Sequence, residues 1–429
     1  MKRKFLLLLI IINLPVLVMQ AQKILTLKEC YEKAYANNAL AGEESLYSGI
    51  WELKDKNLSK SWLPTLDANG SFLYNSAVID IASALGSTPF AGAIKPLPHE
   101  QYKITMDINQ VIYDGGVVKN SKSFEKADLI INQKQTETDL YKLRGQINTY
   151  YFNLLLLNRQ KELLNSYLEL IDKRILSLQS ALNNGIIIKS DIDVMTSEKI
   201  RISQQLNENE IQQDALLKIL AGLTGSEIEA SAELVLPVIS GELNKDLSRP
   251  ELEMFDLRRD QLSAGIKVME SKRMPKAFGF ATLGYGNPPG NNFFKDEFAP
   301  YYILGAGVKW NIFDWNKTKN ERRVIGLQQE ILEKRKSDLS DNLSRLLDAK
   351  NAEIEKTKSL LRSDTLLISI RKRITASAES QYENGTITAT ELLNEMNSER
   401  QAMINYEIHK ISLVMAQVEY LNISGKDIE

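Results

Sequence analysis

Proline is missing from two long stretches of this chain. None of its 11 prolines lies between residues 98 and 237 or after residue 300. A proline inside a helix costs roughly 3 kcal/mol or more, so these stretches can form long helices. Glycine is equally rare there, with one in residues 117–184 and one in residues 317–384. Each of these two ranges is predicted to be a long helix, and a helix of about 68 residues would extend about 100 Å.

The first stretch carries the alternating three- and four-residue spacing of apolar residues that is typical of a coiled-coil seam. The helix is therefore predicted to pack along its length against other helices. In the second stretch the apolar residues repeat every seven positions, at Leu347, Ile354, Leu361, Ile368 and, after Thr375, Tyr382. The seam of the first stretch consists of Leu140, Leu143, Ile147, Tyr150, Leu154, Leu157, Leu164, Leu168, Ile171, Ile175, Leu178 and Leu182.

Cysteine and histidine are also scarce, which excludes several kinds of site. The single cysteine, Cys30, cannot form an internal disulfide and is expected to pack in the first helix. The two histidines, His99 and His409, show no metal-ligand spacing, and the chain has no nucleophile elbow or phosphate-binding loop. The sequence therefore predicts no enzymatic activity, no cofactor and no metal site.

Residues 1–21 are predicted to be a secretory signal. Lys2, Arg3 and Lys4 precede an apolar run, and Ala21 offers a small residue for cleavage. A membrane anchor is the alternative, but the apolar run is short and interrupted for a membrane span. Without the signal, 50 basic residues remain against 55 acidic ones, a balance that argues against nucleic acid as a partner.

The chain repeats itself at an offset of 200 residues, and a chain duplicated in register forms one fold from two similar halves. Leu63-Pro64 recurs as Met274-Pro275 at a larger offset, so the first half is expected to have a longer exposed loop after Pro64. The segments that share the 200-residue offset are 111–114 with 311–314, 181–185 with 381–385, and 223–225 with 423–425.

Each predicted long helix ends at an Asn-Gly pair, which suits a left-handed helix end. A new helix is then expected to begin near Ser190 in the first half and near Thr388 in the second. Asp193 and Glu391 follow these two residues at the spacing of a capping box. Each half is thus predicted to contain a helical hairpin. The turn residues are Asn184 and Gly185 in one hairpin and Asn384 and Gly385 in the other.

Four segments of about 11 residues alternate apolar and polar side chains, the pattern of strands with two different faces. The third is less regular, because Phe278 and Phe280 fall on the face that should be polar. Tilted strands of this length can cross a bilayer, although a soluble sheet with one buried face alternates in the same way. The segments are residues 65–75, 102–112, 276–286 and 302–312.

The predicted strands form two hairpins, which are too few to close a barrel. A barrel in lipid must close, because open edges leave backbone groups without hydrogen bonds. Three chains would supply twelve strands and would close. The loops at residues 76–101 and 287–300 are rich in glycine, proline and small polar residues and are predicted to lie outside the membrane.

Five short motifs occur in a fixed order along the chain. They are Leu25-Thr26-Leu27-Lys28-Glu29-Cys30 leading to Asn37-Asn38, Leu63-Pro64-Thr65-Leu66, Gln110-Val111-Ile112-Tyr113-Asp114-Gly115-Gly116, Arg249-Pro250-Glu251-Leu252, and the 382–385 turn before Glu391-Leu392-Leu393. With these motifs, the duplication and the two proline-free hairpins, the chain resembles the TolC family of outer-membrane efflux proteins over essentially its whole mature length.

The resemblance implies a mainly α fold with a transmembrane β-barrel. It implies a homotrimer that shares a 12-stranded barrel in outer-membrane lipid and an α-helical barrel in the periplasm. The expected segments are the signal (1–21), N-terminal periplasmic helices (22–63), a first β-hairpin (64–113), a first long helical hairpin (114–223), an irregular equatorial region (224–248), a helix opening the second half (249–274), a second β-hairpin (275–313) and a second long helical hairpin (314–425).

The function implied by the resemblance is passive conduction. The protein would be the outer-membrane channel of a tripartite efflux or secretion system, extending into the periplasm. Substrates would pass from an inner-membrane transporter, through a periplasmic adaptor (a membrane fusion protein), to the cell exterior. A soluble periplasmic coiled-coil scaffold or adaptor is the alternative, although an adaptor would show one helical hairpin flanked by β domains.

The resemblance also implies which residues gate the channel. The turn residues Asn184, Gly185, Asn384 and Gly385 would meet the adaptor. Six positions after each turn glycine, Glu391 in the second half and Asp191 in the first would line a constriction, where three copies of Glu391 could bind cations. Asn394 stands at the second position that is acidic in the family. Capping of a helix N-terminus is the other interpretation of both acids.

Overall fold

The structure is a computed structural model that describes residues 24–79, 97–185, 187–229, 232–240, 243–292 and 295–428. The predicted signal therefore lies outside the described residues, as does most of the predicted outside loop at residues 76–101. The chain divides into two compact units. The first, here called the sheet unit, comprises residues 39–141 and 247–344. The second, the helical unit, comprises the remaining described residues.

The elements follow one another along the chain in a fixed order. They are β1 (Ile24–Leu25), α1 (Leu27–Asn37), a short 3-10 helix (Ala39–Gly42), α2 (Glu43–Lys60), β2 (Thr65–Tyr74), β3 (Glu100–Tyr113), α3 (Val117–Tyr141), α4 (Leu143–Asn183), α5 (Lys189–Thr224), β4 (Glu233–Leu234), α6 (Pro250–Ser271), β5 (Lys276–Asn287), β6 (Ala299–Lys309), α7 (Lys317–Glu383) and α8 (Ala389–Ser424).

The sheet unit contains one antiparallel sheet of four strands in the order β2-β3-β5-β6. The four predicted strands are present, but the last is displaced toward the N-terminus. Residues 302–312 were expected, whereas β6 covers Ala299–Lys309. Lys309 pairs with Lys276, the first residue of β5, which follows Pro275. The ladder therefore ends at Lys309 because its partner strand ends there, and Trp310 to Ile312 lie outside it.

The two phenylalanines that broke the alternation of β5 lie over glycines of β6. A side chain at Gly305 would meet the ring of Phe280, and one at Gly307 would meet the ring of Phe278. The missing side chains on β6 leave the room that these rings occupy. The irregular pattern of residues 276–286 is thus explained by a neighbouring strand, which its own sequence does not reveal.

The first proline-free stretch is helical as predicted, with a break of one residue at Lys142, whose backbone angles (φ −62°, ψ −25°) remain α-helical. Helix α3 ends at Tyr141 and α4 begins at Leu143. Just before the break, the hydroxyls of Thr136 and Thr138 donate to backbone carbonyls four residues earlier, as those of Thr357 and Thr365 do within the unbroken helix α7. The second stretch is confirmed as a single helix, α7, of 67 residues.

The helical unit has two apolar cores. The first joins α1, α4, α5 and α8 around Cys30, which is fully buried as predicted, and burial raises the pKa of its thiol to about 12. The parallel pair of β1 and β4 lies beside this core, where the Tyr151 hydroxyl lies within hydrogen-bond distance of the carbonyl oxygens of Leu25 and Val235, at 2.8 and 2.7 Å. The second core joins the two helical hairpins, α4–α5 and α7–α8, through residues such as Ile171 and Leu392.

Candidate functional site

Both helical hairpins end in the turn that the sequence predicted. Gly185 and Gly385 have φ angles of +71° and +69°, in the left-handed region. Their amide groups donate back to the carbonyls of Leu182 and Tyr382, both at 2.9 Å. An added side chain would find open space at either glycine, so the backbone angle alone accounts for glycine here. Asn184 and Asn384 each donate their backbone N–H to the carbonyl four residues earlier.

The two helices that follow the turns begin differently. In α8, Thr388 is the N-cap: its hydroxyl accepts from the Glu391 amide at 3.2 Å, and the Glu391 carboxylate accepts from the Thr388 amide at 2.8 Å. This is the predicted capping box. The prediction for the first half is wrong. Helix α5 begins one residue earlier than Ser190, its N-cap is Ile188, and that side chain has no oxygen to accept a hydrogen bond.

The two acidic candidates occupy the same position at their helix starts but have different surroundings. Glu391 is exposed, and hydrogen bonds from the Thr388 backbone and hydroxyl hold the pKa of its carboxyl below the usual range. Asp191 is partly buried, and burial together with the charge of Asp191 raises the pKa of the Tyr382 hydroxyl. Tyr382 belongs to the other hairpin, so the structure brings Asp191 near the second turn. Asn394 is exposed one turn along α8.

An ion pair joins the hairpins just before their turns. The Arg174 guanidinium of α4 lies 2.5 Å from the Glu379 carboxylate of α7 and 3.8 Å from Glu383. The Arg174 side chain is 15% exposed, so this pair is better shielded than most surface pairs. It holds α4, at a point nine residues before the end of that helix, against the last turns of α7.

A second polar cluster joins the hairpins inside their common core. Glu198 of α5 is 4% exposed and accepts two hydrogen bonds from Arg201, at 2.6 and 2.8 Å. Arg400 of α8 lies 3.6 Å from Glu198, donates to Asn397 at 2.9 Å, and stacks over the ring of Tyr167 of α4 at 4.8 Å. Burial lowers the pKa of Arg400. Glu198 and Arg400 are thus buried charged groups from two hairpins, and separating them would be costly, whereas the Arg201 side chain is 49% exposed.

Our sequence analysis missed both of these contacts. For the contact between Glu198 and Arg400, the sequence did contain an indication. Glu198 lies three residues after Met195 and four before Ile202, on the apolar stripe of α5, and Arg400 lies four residues after Met396 on that of α8. A charged residue on an apolar stripe is rarely buried without a partner. The positions therefore indicated buried pairs, although no pattern in the sequence indicated which residue pairs with which.

The second candidate region is the sheet, whose register places apolar side chains on one face. Cross-strand pairs such as Phe72 with Tyr102 and Leu283 with Tyr302 all lie on that face. These side chains are between 40% and 73% exposed, so nothing described in the sheet unit covers them. We call this the apolar face; it consists of Leu66, Phe72, Tyr74, Tyr102, Ile104, Met106, Leu283, Tyr285, Tyr302, Leu304 and Val308.

The opposite face of the sheet is polar at its centre. The Asp107 carboxylate accepts hydrogen bonds from Thr282 at 2.6 Å, Asn69 at 2.8 Å and Thr105 at 3.0 Å. These partners come from three neighbouring strands, so the network crosses the polar face. The two faces of the sheet therefore differ as the alternation in the sequence predicted, with the bulky apolar groups exposed rather than buried.

Two further findings bear on function. In the described part of the chain, no group of His, Cys, Asp or Glu side chains is arranged to hold a metal ion. Among the described residues, no helix combines the length and the apolar character needed to cross a membrane.

The fold is shared with solved membrane channels. CusC, described as forming a transmembrane channel, has a TM-score of 0.67 and 12% identity, with 94% of this chain and 92% of CusC covered. The outer-membrane protein VceC of Vibrio cholerae has a TM-score of 0.66 and 12% identity, covering 94% and 97%. The CmeC outer-membrane channel of Campylobacter jejuni has a TM-score of 0.63 and 14% identity, covering 93% and 85%. The chain has the fold of the TolC family.

The similarity to these channels lies in the fold, since the sequence identities are only 12–14%. No family model matches the sequence, and no curated protein matches it. The predicted resemblance is thus confirmed at the level of the fold.

Proposed function

We propose that this protein is the outer-membrane channel of a tripartite efflux or secretion system. It conducts substrates passively from an inner-membrane transporter and a periplasmic adaptor to the cell exterior. The observation that carries the proposal is the exposed apolar face of a four-stranded sheet, in a chain with the TolC fold. An apolar surface of this extent on a protein requires a partner or a membrane.

The length of the strands supports lipid as the partner of the apolar face. The four strands have 10 to 14 residues, the length that a tilted strand needs to cross a bilayer. Aromatic residues collect at both ends of the sheet, as in the aromatic girdles of membrane barrels. Tyr102 packs against Phe72 at 4.9 Å and Phe298 at 5.8 Å at one end. Beyond the other end of the sheet, the ring centroids of Phe313 and Trp315 lie 4.8 Å apart.

A single sheet cannot remain open in lipid. Among the described strands, β2 and β6 each pair on one side only, and an open edge in lipid leaves N–H and C=O groups without hydrogen bonds. A homotrimer removes all open edges by joining β6 of one copy to β2 of the next. The result is a 12-stranded barrel with the apolar face in lipid and the Asp107 face toward the channel.

The helical unit then forms the periplasmic part of the channel. In this proposal, α4–α5 and α7–α8 are the two long helical hairpins, and residues 224–248 are the equatorial region. The turns at Asn184-Gly185 and Asn384-Gly385 contact the adaptor. Glu391 and Asp191 line the constriction, with Asn394 one turn beyond Glu391. Arg174 with Glu379, and Arg400 with Glu198, hold the two hairpins of one copy together.

Thiol labelling of the sheet tests the channel proposal. Cysteines are introduced one at a time on a Cys30→Ala background, at Ile104 and Leu304 of the apolar face and at Thr105 and Lys309 of the polar face. In intact outer membranes, a membrane-impermeant thiol reagent should label the polar-face cysteines at least about tenfold faster, because lipid covers the apolar face. Labelling rates are followed by mass shift on gels.

Ile104 and Thr105 form the matched pair for this experiment. They are adjacent in β3 and therefore lie at nearly the same depth, so a difference between them reports the face and not the depth. Detergent should expose Ile104→Cys to the reagent and remove most of the difference. Equal labelling in membranes, or recovery of the protein as a soluble periplasmic scaffold, would contradict the proposed function.

Conductance tests the role of Glu391. If three Glu391 carboxylates form a ring, Glu391→Gln should weaken cation selectivity and cation block in planar bilayers by severalfold, because the ring charge is lost. Thr388→Ala is the matched control, since it breaks the capping box and keeps the carboxylate. Unchanged selectivity in Glu391→Gln, with a lowered melting temperature in both variants, would show that Glu391 only caps α8.

A further inference from the structure

Two lysines face each other across the pair of strands β5 and β6. Lys276 is the first residue of β5 and Lys309 is the last residue of β6, and the register places them directly opposite. Cβ atoms of residues so placed lie about 4.5–5.5 Å apart, and like charges in that arrangement destabilise a sheet. Among the described residues, no carboxylate forms an ion pair with either ammonium group. The pair therefore favours an anion as its partner.

The face of the sheet that carries the lysines also carries the two phenylalanines that broke the alternation of β5. Phe278 and Phe280 follow Lys276 at intervals of two residues, so all three side chains leave β5 on the side of the Asp107 network. The ring centroids of Phe278 and Phe280 lie 6.4 Å apart, and Phe280 is 37% exposed. An aromatic surface thus lies beside the lysine pair, on a face that is polar at its centre.

A cavity of about 420 Å³ adjoins the lysine pair where the sheet meets the helices. A volume of this size is typical of small-molecule sites, which combine an apolar lining with a few polar groups. Asp114 also lines this cavity, but its carboxylate accepts the amides of Gly116 and Val118 at 2.7 and 2.6 Å. The lining that the argument uses consists of Leu58, Val111, Val118 and Phe278, with Lys276 and Lys309.

This combination of groups restricts the chemistry of a ligand. The two ammonium groups would repel a cation, and an inorganic anion would leave the rings of Phe278 and Phe280 without a contact. A neutral apolar molecule would cover the rings and leave the lysine charges unbalanced. An organic anion with an apolar body satisfies both parts, because its charged group accepts hydrogen bonds from the lysines while its body packs against the rings.

We propose that Lys276, Lys309, Phe278, Phe280 and the adjoining cavity form a binding site for organic anions with an apolar body, here called the anion site. A carboxylate, sulfate or sulfonate group of the ligand lies between the two ammonium groups. The inference rests on the proposed function and deepens it. In the proposed barrel this face lines the channel, so organic anions of this kind are a class of substrate that the channel conducts. Basic side chains that line a pore favour anions in the same way.

Isothermal titration calorimetry on the full-length protein in nanodiscs of phosphatidylcholine tests the anion site. Naphthalene sulfonate is the probe. Sulfate lacks its apolar body, and naphthylmethylammonium carries the opposite charge. We expect naphthalene sulfonate to bind at least about tenfold more tightly than either of these, because only it engages both the lysines and the rings. Equal affinities for naphthalene sulfonate and sulfate would overturn the site, since the phenylalanines would then contribute nothing.

Lys276→Gln should weaken the binding of naphthalene sulfonate at least about tenfold, because a charged donor is lost. Lys103→Gln is the matched control. Lys103 lies on the same face, opposite Gly286 of β5, ten residues or about 33 Å along that strand from Lys276. Its loss should change the affinity less than about twofold, since the distance exceeds the Debye length. Equal losses in the two variants would assign binding to general positive charge and overturn the site.

Two further measurements examine the parts of the site separately. Phe280→Thr should weaken naphthalene sulfonate about fivefold and leave the affinity for sulfate unchanged, because only the apolar contact is removed. In the protein without ligand, Lys276→Gln should raise the melting temperature, because the repulsion from Lys309 disappears. A lowered melting temperature would contradict the uncompensated charge on which the site depends.

Binding is measured apart from conduction, so the anion site and the proposed function can fail separately. Absence of naphthalene sulfonate binding in a protein that conducts ions in planar bilayers would overturn the site and leave the proposed function standing. A protein that binds naphthalene sulfonate but conducts no ions would overturn the proposed function, and the substrate class with it.

Discussion

The two turns that lead from a strand into a helix have similar backbones but different residues. In the first half the turn is Asp114-Gly115-Gly116, with φ angles of +75° and +87° at the glycines. In the second half it is Asp314-Trp315-Asn316, with φ angles of +54° and +65°. In both, the aspartate carboxylate accepts the amide four residues later, Val118 at 2.6 Å and Thr318 at 3.0 Å. The left-handed turn is therefore a requirement of the fold in both halves.

The surroundings decide which residue each turn can hold. A Cβ at Gly115 would lie 2.6 Å from the Cβ of Met274 and 2.9 Å from the carbonyl oxygen of Ser271. Trp315, at the matching position, is 84% exposed and stacks edge-on against Phe313. The comparison shows that a positive φ angle by itself does not require glycine at a position. Close packing against Ser271, the last residue of α6, and against Met274, three residues later, does so in the first half.

The largest expected effect is therefore at Gly115. We expect Gly115→Ala to lower the free energy of unfolding by roughly 3 kcal/mol, because a left-handed alanine is strained and its Cβ collides with Met274 and Ser271. Thermal unfolding in detergent, followed by circular dichroism, measures the change. Trp315→Ala is the matched control and should cost less than about 1 kcal/mol, since the Trp315 side chain is 84% exposed and the ring contact that it loses is with Phe313. Equal losses in the two variants would contradict the role of packing.

Asn316 tests the remaining strain in the second turn. Asparagine tolerates the left-handed region, whereas a β-branched residue does not. We expect Asn316→Val to lower the free energy of unfolding by roughly 1.5 kcal/mol, measured by the same thermal unfolding. Asn316→Gly should change it by less than about 0.5 kcal/mol, because glycine adopts this angle freely. If Asn316→Val leaves the free energy of unfolding unchanged, the turn does not require a left-handed backbone at residue 316.

The N-termini of α8 and α5 allow a comparison with a smaller expected effect, because an N-cap can be removed from α8 and introduced in α5. Thr388→Ala removes the N-cap oxygen of α8 and should cost about 1 kcal/mol. Ile188→Thr places a hydroxyl at the same position of α5, where Asp191 stands three residues later, and should raise the melting temperature. Paired thermal unfolding of the two variants measures both changes. If Ile188→Thr is neutral while Thr388→Ala is destabilising, the backbone at Ile188 does not form a capping box.

The pH dependence of the α8 cap follows from Glu391. Its pKa is lowered from 4.5 in the folded protein, so the unfolded chain takes up a proton more readily as the pH falls. The stability contributed by this carboxylate is therefore fully present above pH 4.5 and is lost as the pH falls through the lowered folded-state pKa. The gap in melting temperature between the unchanged protein and Glu391→Gln should narrow over that range. If the difference in melting temperature does not change with pH, the stabilising effect of Glu391 does not come from its charge.

Much of the fold followed from the sequence because its causes are local. The lack of proline and glycine predicted α7 almost to its ends, and the Asn-Gly pairs marked both hairpin turns. Alternation predicted the four strands and their two faces. A backbone angle, a helix interior and a strand pattern each depend on a few neighbouring residues, which the sequence displays directly.

The candidate site followed from the sequence only in part. Thr388 and Glu391 formed the predicted capping box because both partners lie within one helical turn. Ser190 and Asp193 have the same spacing but did not, since α5 begins one residue earlier, at Lys189. The ring at Glu391 stays a prediction.

Tertiary structure alone decided the features that join distant segments. Strand β6 ends at Lys309 because β5 begins at Lys276, and Phe278 and Phe280 lie on the polar face because glycines of β6 leave room for them. Glu198 and Arg400 are 202 residues apart in the chain, yet they share one buried cluster. Burial, charge pairing and steric room depend on which surfaces meet, and that choice is made by the packing of the whole chain.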